Sequence, residues 1–264
     1  MKLKSSLNGI KKKNRMNKTG VKERVAVYDG DFIPFYVCHN KKDEPIKTLE
    51  DCKQLCDEFI RSINTLVQAD SYLGYLTIGK CFRYTVNPNY KANRKYTDLP
   101  EFLYDIKQYL QDNHGFTFNS DYEADDLVVS FKAKNSQYES IIISPDKDIL
   151  TSVDIAYNPR KNEFVENTAD EINAYFWKSM ITGDSVDGIK GIPGKGKAFA
   201  DKLLLNIDDQ ESLRGLVFDE YILHFGEYEG IKEFYRNYLS LKMIDDLETG
   251  ELKLNKIEKI DFCE

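Results

Sequence analysis

Apolar residues follow two different spacings along this chain, and the two spacings alternate. Three short, mostly apolar runs have the length and composition of buried strands, and they cover residues 24–28, 72–78 and 140–144. Apolar residues recur at helical spacing between 49 and 67, and helical patterns also cover 98–113 and 122–134. Between 152 and 165, β-like residues flank a turn at 158–162, which predicts further strands.

This alternation predicts an α/β fold with a mostly parallel central sheet flanked by helices. From about residue 168 the pattern becomes helical, with segments at 168–181 and 197–205 and several more as far as 247. No Pro- or Ser-rich linker precedes this part, so we expect it to pack onto the sheet. The predicted regions are a basic leader at 1–22, an α/β core at 23–166 and a helical region at 167–264.

Composition and charge narrow the class of protein. With 264 residues and 41% apolar content, the chain can bury a substantial core, and we expect a monomer. The net charge is −7, yet residues 1–24 hold nine Lys or Arg against one acid, which fits either a solvated leader or a phosphate-binding arm. There is no secretory signal and no apolar run long enough for a membrane span. Five scattered cysteines indicate reduced thiols, with a zinc site as the remaining alternative, and we expect a cytoplasmic protein that binds no membrane.

Eight carboxylates recur in four places along the chain, and several of them follow the predicted strands. In parallel sheets the carboxyl ends of the strands meet at one edge, which is the usual place for a site. Gathered carboxylates repel one another unless cations lie between them, and such hard oxygen ligands suit Mg²⁺ or Mn²⁺. The pattern predicts a two-metal phosphodiesterase site formed by Asp29, Glu123, Asp125, Asp126, Asp146, Asp148, Asp184 and Asp187.

A glycine-rich stretch at 188–197 follows the last pair of acids. It matches the first part of a nucleotide-binding P-loop, but Ala198 stands where that loop needs Ser or Thr, and a predicted helix precedes it instead of a strand. We prefer a hairpin between two helices that binds a DNA backbone, since glycines allow close approach and amides at a helix start attract phosphate. A plain turn is the alternative. The candidate DNA-binding residues here are Gly191, Gly194, Lys195, Gly196 and Lys197.

Five motifs, taken in order, resemble those of the 5′-nuclease superfamily of flap endonucleases and 5′–3′ exonucleases. They are Tyr-Asp-Gly-Asp at 28–31, Phe-Arg at 82–83 with Tyr-Lys-Ala-Asn-Arg at 90–94, Glu-Ala-Asp-Asp at 123–126, Ser-Pro-Asp-Lys-Asp at 144–148, and the stretch at 183–196. The likeness runs from about residue 25 to 205 and is strongest to bacteriophage exonucleases and the nuclease domain of bacterial DNA polymerase I. It implies a PIN-like fold and a helix–three-turn–helix element that binds duplex DNA and often K⁺.

The resemblance also implies roles for individual residues. The acids that match the metal site are Asp29, Glu123, Asp125, Asp146 and Asp148, the outer acids are Asp184 and Asp187, and Asp126 is less clearly a direct ligand. Lys91 matches the lysine that contacts the scissile phosphate, and Arg94 matches its basic partner. Arg83 fits a phosphate-binding or a structural role. Tyr90 either stacks on a terminal base or packs in the core.

The activity implied by the resemblance is hydrolysis of DNA phosphodiesters at 5′ ends, flaps or nicks with two Mg²⁺ ions, for which Mn²⁺ can substitute. The implied partners are flap, nicked or 5′-ended duplex DNA, an RNA–DNA hybrid, and replication proteins. Two departures from the family stand out: residues 76–83 lack the acid that usually ends the second strand, and 94–123 is short for a helical arch. The missing acid leaves a catalytically impaired DNA-binding protein as one alternative, and a related PIN-type ribonuclease with the same acidic site is the other.

Overall fold

The computed structural model describes residues 22–39, 47–94, 99–207 and 209–243, so the predicted leader as far as residue 21 and Cys263 lie outside the described residues. The strands of the main sheet are β1 (Arg24–Asp29), β2 (Ser71–Thr77), β3 (Thr117–Asn119), β4 (Glu139–Ile143), β5 (Ile155–Asn158) and β6 (Glu163–Glu166). They form a six-stranded sheet in the order β3-β2-β1-β4-β5-β6. The neighbours from β3 to β5 pair in parallel, and β6 pairs antiparallel with β5.

Helices account for most of the rest of the described chain. They are α1 (Ile33–Cys38), α2 (Leu49–Leu66), α3 (Arg83–Val86), α4 (Leu103–His114), α5 (Ala124–Lys134), α6 (Lys147–Leu150), α7 (Ala169–Thr182), α8 (Lys197–Leu203), α9 (Gln210–Phe225) and α10 (Glu227–Leu241). A separate antiparallel pair, β7 (Gly183–Asp184) and β8 (Ile189–Lys190), lies between α7 and α8. The predicted fold class, a mostly parallel sheet flanked by helices with a helical region after it, is confirmed.

Local sequence signals explain where the two long helices α2 and α7 begin. Thr48 caps α2, where its hydroxyl accepts a hydrogen bond from the Asp51 amide and the Asp51 carboxylate accepts one from the Thr48 amide. Thr168 and Glu171 form the same reciprocal cap at the start of α7. Each cap satisfies amides that the first turn of a helix leaves without partners.

Strand β1 lies at the centre of the molecule and is buried on both faces. Ala26 and Tyr28 pack with α1, α2 and α4 on one face, whereas Val25 and Val27 pack with α5 and α6 on the other. Successive side chains of a strand point to opposite faces, so an unbroken apolar run is what a covered parallel strand requires. A second core around Trp177 joins helices α7 to α10.

The structure agrees with the prediction for the cysteines but contains short elements that the sequence pattern did not predict. Cys38, Cys52, Cys56 and Cys81 are buried and free, as the prediction of reduced thiols required. The pattern missed α1, α3, α6, β3 and the β7–β8 pair, because each is too short to display a period. The predicted helix at 98–113 starts at Leu103, and Asp98 lies outside the described residues.

In the described part of the chain, no helix combines the length and apolar content that crossing a membrane needs.

Candidate active site

The carboxyl ends of β1 and β4 bring the first group of acids to one edge of the sheet. Asp29 is the last residue of β1 and is 4% exposed, while Asp146 caps the start of α6 just after β4. Ser144 joins them, because its hydroxyl donates to Asp29 Oδ2 at 2.9 Å and accepts from the Asp146 amide at 3.0 Å. Ser144 was not among the predicted site residues, although it begins the Ser-Pro-Asp-Lys-Asp motif.

The start of α5 brings the second group of acids to the same edge. Glu123 is the residue that precedes the helix, and Asp125 lies in its first turn. The amide of Ala124 donates to the hydroxyl of Thr77 at 2.9 Å, which fixes this helix start against the end of β2. Negative side chains are favoured at a helix N-terminus by the helix dipole, so the local structure tolerates the acids that the site requires.

An open pocket of about 1170 Å³ collects most of the predicted acids. Lys91 and Arg94 also line it, and its far wall is a face of α7 that includes Tyr175 and Lys178. The predicted acids that line this pocket are Asp29, Glu123, Asp125, Asp146, Asp148 and Asp184. Asp187 lines a smaller adjoining cavity, together with Lys91 and Arg94. The structure therefore brings six of the eight predicted acids around one pocket and a seventh into the cavity beside it.

Two cations of the pocket are already engaged by acids. Lys91 Nζ lies 2.6 Å from Glu123 Oε1, and Arg94 Nη2 lies 2.5 Å from Asp187 Oδ1. The Lys91 amide also donates to the Asp187 carbonyl at 2.8 Å, and Asn93 Nδ2 donates to the Ser185 carbonyl at 2.8 Å. These bonds attach the segment at 90–94 to the loop between β7 and β8, and they join the sheet region to the helical region at the pocket.

Arg83 and Asp126 form a buried pair beneath the pocket. Arg83 is 1% exposed, and its guanidinium donates to both oxygens of Asp126, at 2.5 and 2.7 Å. Its Nε donates to the Ser240 carbonyl at 3.0 Å, which ties α10 to the core. Of the two roles open to Arg83, this burial favours the structural one. Asp126 is fully buried and paired with a cation, so its position argues against direct metal ligation.

Tyr90 lies inside the protein and supports the acid group from below. The residue is 3% exposed, and its hydroxyl donates to Glu123 Oε2 at 2.6 Å. A base can stack only on an exposed ring, so the structure favours core packing over the stacking alternative. In this position Tyr90 helps Arg83 and Lys91 to orient the Glu123 carboxylate.

The electrostatics of the acids fit a cation. Burial, followed by the negative charge of Asp31, raises the pKa of Asp29 to about 7. Burial and then Asp29 raise the pKa of Asp125 well above its usual value, and burial and then Asp146 raise that of Asp148 to about 6. Burial also raises the pKa of Glu123, but Lys91 and Arg83 outweigh it and the net shift is downward. Acids that repel one another in this way are stabilised in their charged form by a bound cation.

The donor set fits a hydrated hard cation better than a closed chelate. Within residues 22–39, 47–94, 99–207 and 209–243, no three Asp, Glu, His or Cys side chains converge closely enough to hold one ion. Mg²⁺ keeps several of its waters and is usually bound through one or two carboxylates together with substrate phosphates. Acids distributed around an open pocket therefore suit Mg²⁺ or Mn²⁺.

The glycine-rich stretch does lie between two helices, α7 and α8, and includes strand β8. A Cβ at Gly191 would lie 2.2 Å from the Ile181 carbonyl oxygen, so only glycine fits there. Gly194 has a φ of +76° and nothing within 4 Å of its Cβ position, and Gly196 is equally open. Lys195 is 2.7 Å from Glu220, and Lys197 lines the active-site pocket. The role of this stretch in DNA binding stays a prediction.

Tyr175 also lies at the site, although it was not among the predicted site residues. Its hydroxyl donates to Asp148 Oδ1 at 3.0 Å, and Lys147 Nζ lies 4.9 Å from the centre of its ring. The available signal was the helical spacing of Tyr175 with the polar residues Lys178 and Ser179 on one face of α7.

Comparison with known proteins decides the family. The profile of the 5′-3′ exonuclease N-terminal resolvase-like domain matches residues 32–175, more than half of the chain. The chain belongs to the 5′-3′ exonuclease family. It is 26% identical to the 5′-3′ exonuclease of Mycoplasmopsis pulmonis over 91% of this chain and 86% of that protein. It is 33% identical to DNA polymerase I of Borreliella burgdorferi over 67% of this chain but 21% of the polymerase. It is also 33% identical to flap endonuclease Xni of Shewanella pealeana, over 47% of this chain and 53% of that protein.

Solved structures agree on the fold. The flap endonuclease of bacteriophage T5, in a pseudo-enzyme-product complex with DNA and metal ions, has a TM-score of 0.65 and 18% identity over 90% of this chain and 97% of that chain. The catalytic core of Rad2 in complex with a DNA substrate has a TM-score of 0.50 and 15% identity over 89% of this chain and 78% of that chain. Family membership makes this chain a nuclease that acts at 5′ ends.

Proposed function

We propose that this 5′ nuclease is a structure-selective phosphodiesterase that uses two divalent ions, Mg²⁺ or Mn²⁺, to cut DNA at 5′ ends, flaps or nicks. The observation that carries the proposal is the pocket, in which acids from separate segments surround one space with Lys91 and Arg94 among them. Family membership gives this arrangement its chemistry. RNA–DNA hybrids as substrates, a monomeric state and replication proteins as partners belong to the same proposal.

The acids divide into two groups by their position. Asp29, Glu123, Asp125, Asp146 and Asp148 would hold the ions at the sheet edge, and Asp184 and Asp187 would act from the opposite wall. When bound, divalent ions supply positive charge to the scissile phosphate and increase the acidity of the attacking water. Tyr90 and Tyr175 would keep Glu123 and Asp148 oriented through the hydrogen bonds that they donate.

Lys91 and Arg94 act on the substrate. Lys91 is paired with Glu123 and Arg94 with Asp187, so each can exchange its carboxylate partner for a phosphate oxygen when the phosphate enters. The oxygen of a water then attacks the phosphorus and loses a proton to solvent. The bond from phosphorus to the 3′ oxygen breaks, and the departing 3′ oxygen takes up a proton from solvent. One product carries a 5′-phosphate and the other a 3′-hydroxyl. Preorganised cations stabilise the charge that develops on the phosphoryl oxygens.

Duplex binding would come from the glycine-rich stretch and from backbone contacts. Gly194 and Gly196 leave the main chain open to solvent, and Lys197 carries positive charge from the start of α8 into the pocket. The proposal includes K⁺ held by carbonyls of this stretch. Binding that depends on phosphate contacts should weaken as salt increases and should show little base preference.

One gel tests the proposal. A 5′-labelled flap duplex, a nicked duplex and a single-stranded RNA are incubated with the protein in Mg²⁺, in Mn²⁺ and in EDTA. We expect labelled cleavage products from the DNA substrates with either metal, and none in EDTA. Flap binding without cleavage across the metal titrations would favour the impaired binding protein instead. Preferential cleavage of the single-stranded RNA would favour the ribonuclease.

A further inference from the structure

The strands on either side of β1 supply acids unequally to the active-site edge. On one side, β4 is followed by Asp146 and Asp148. On the other side, β2 ends at Thr77, and residues 78–83 contain no acid. The sheet order therefore leaves one flank of Asp29 without a carboxylate from its own neighbouring strand.

Asp31 lies beside the end of β2, although it belongs to the turn after β1. It lines the same pocket as Asp29, and its side chain is 30% exposed. Its Oδ1 accepts hydrogen bonds from the Thr77 amide at 3.0 Å and from Lys107 Nζ at 2.7 Å. Its Oδ2 makes no hydrogen bond to any residue in the described part of the chain.

We propose that Asp31 supplies to the metal site the carboxylate that β2 lacks. This inference rests on the proposed function, because it assumes that the pocket binds divalent ions. The Thr77 amide holds Oδ1 from behind, as outer donors commonly hold ligating carboxylates, and Oδ2 is left for a cation. A carboxylate oxygen is a hard donor of the kind that Mg²⁺ and Mn²⁺ prefer.

The competing explanation is that Asp31 serves only as the ion-pair partner of Lys107. The two explanations make opposite predictions for Lys107. If Asp31 binds metal, removing the Lys107 charge removes a cation that competes for the same carboxylate, so metal should bind more tightly. If the pair is only structural, removing Asp31 and removing Lys107 should change the metal affinity by the same amount.

The experiment measures Mn²⁺ binding to the whole protein by electron paramagnetic resonance, with the Mg²⁺ concentration for half-maximal cleavage as a second readout. The variants are Asp31→Asn, Lys107→Met and the double variant Asp31→Asn/Thr77→Asp. Glu58→Gln, which removes an exposed negative charge on α2 away from the pocket, is the matched control. Circular dichroism melting confirms that each variant is folded at the temperature of the assay.

We expect Asp31→Asn to weaken Mn²⁺ binding by about tenfold or more, a loss typical of disturbing the groups around a bound metal. Lys107→Met should bind Mn²⁺ more tightly than wild type, and Glu58→Gln should match wild type. The double variant should regain affinity, because it returns a carboxylate to the end of β2.

Equal Mn²⁺ affinity of Asp31→Asn and wild type would overturn the inference, as would equal losses in Asp31→Asn and Lys107→Met. In either case, a wild-type protein that binds Mn²⁺ and cuts 5′ flaps leaves the proposed function standing. A wild-type protein that neither binds Mn²⁺ nor cuts flaps overturns the proposed function and this inference together.

Discussion

Replacing Arg83 with Met should destabilise the protein strongly while leaving phosphate contacts intact. Arg83 donates two short hydrogen bonds to Asp126, and both side chains are buried. Removing one partner of a buried ion pair costs about 3–5 kcal/mol, because the remaining charge is left in a low-dielectric interior. Domains of this kind are stable by about 5–15 kcal/mol, so the loss is a large fraction of the total.

The assay is urea unfolding followed by the fluorescence of Trp177, the single tryptophan, which is 2% exposed. With a denaturant slope of about 3 kcal/mol/M, the midpoint should fall by about 1–1.7 M. The double variant Arg83→Met/Asp126→Leu should be more stable than Arg83→Met alone, because apolar residues can replace a buried pair at little cost. Arg61→Met, at an exposed position on α2, should change stability by less than about 0.5 kcal/mol.

A second measurement separates the structural role from phosphate contact. A side chain that contacts a phosphate contributes about one to the slope of log affinity against log salt, so its loss lowers the slope by about that amount. We expect folded Arg83→Met to keep the wild-type slope for nicked duplex. The reasoning is refuted if the variant is as stable as wild type, or if its salt slope falls while its stability does not.

Three further outcomes follow from the site. Asp146→Asn should abolish cleavage while flap binding in Ca²⁺ stays equal or becomes tighter, because a negative charge near the phosphate is removed; wild-type cleavage would contradict its place in the site. Gly196→Val should weaken binding to nicked duplex without lowering the melting temperature, since its Cβ position is open and its φ of −90° suits a residue with a side chain; unchanged affinity would mean that the stretch is a plain turn. Tyr175→Phe should raise the Mg²⁺ concentration for half-maximal rate by about tenfold at unchanged maximal rate, because Asp148 loses an orienting donor; an unchanged Mg²⁺ titration would show that this hydrogen bond does not matter.

The sequence alone determined the parallel sheet and the acids at its edge. Short apolar runs alternate with amphipathic segments along the chain. In the structure the apolar runs form β1, β2 and β4, and two of the amphipathic segments form α2 and α5. Because parallel strands end at the same edge, acids placed directly after β1 and β4 had to meet. The meeting of Asp29 and Asp146 at this edge could therefore be predicted without knowing any tertiary contact.

Only the tertiary structure decided the roles of long or amphipathic side chains. Arg83 could reach a phosphate or a buried acid from the same sequence position, and it is the burial of Asp126 beside it that selects the second. Tyr90 likewise carries no sequence signal that separates stacking from packing. Its burial comes from packing against Cys81 and Ile189, which lie in other segments of the chain.

Contacts between residues far apart in the chain could not be predicted from the sequence either. Asp31 meets Thr77 across 46 positions, and Tyr175 meets Asp148 across 27. No periodicity relates such pairs, because strand order and the docking of α7 bring them together after the local elements have formed. Local patterns record which residues must be buried within one element, whereas the partner of a polar group at the site depends on how the elements pack against one another.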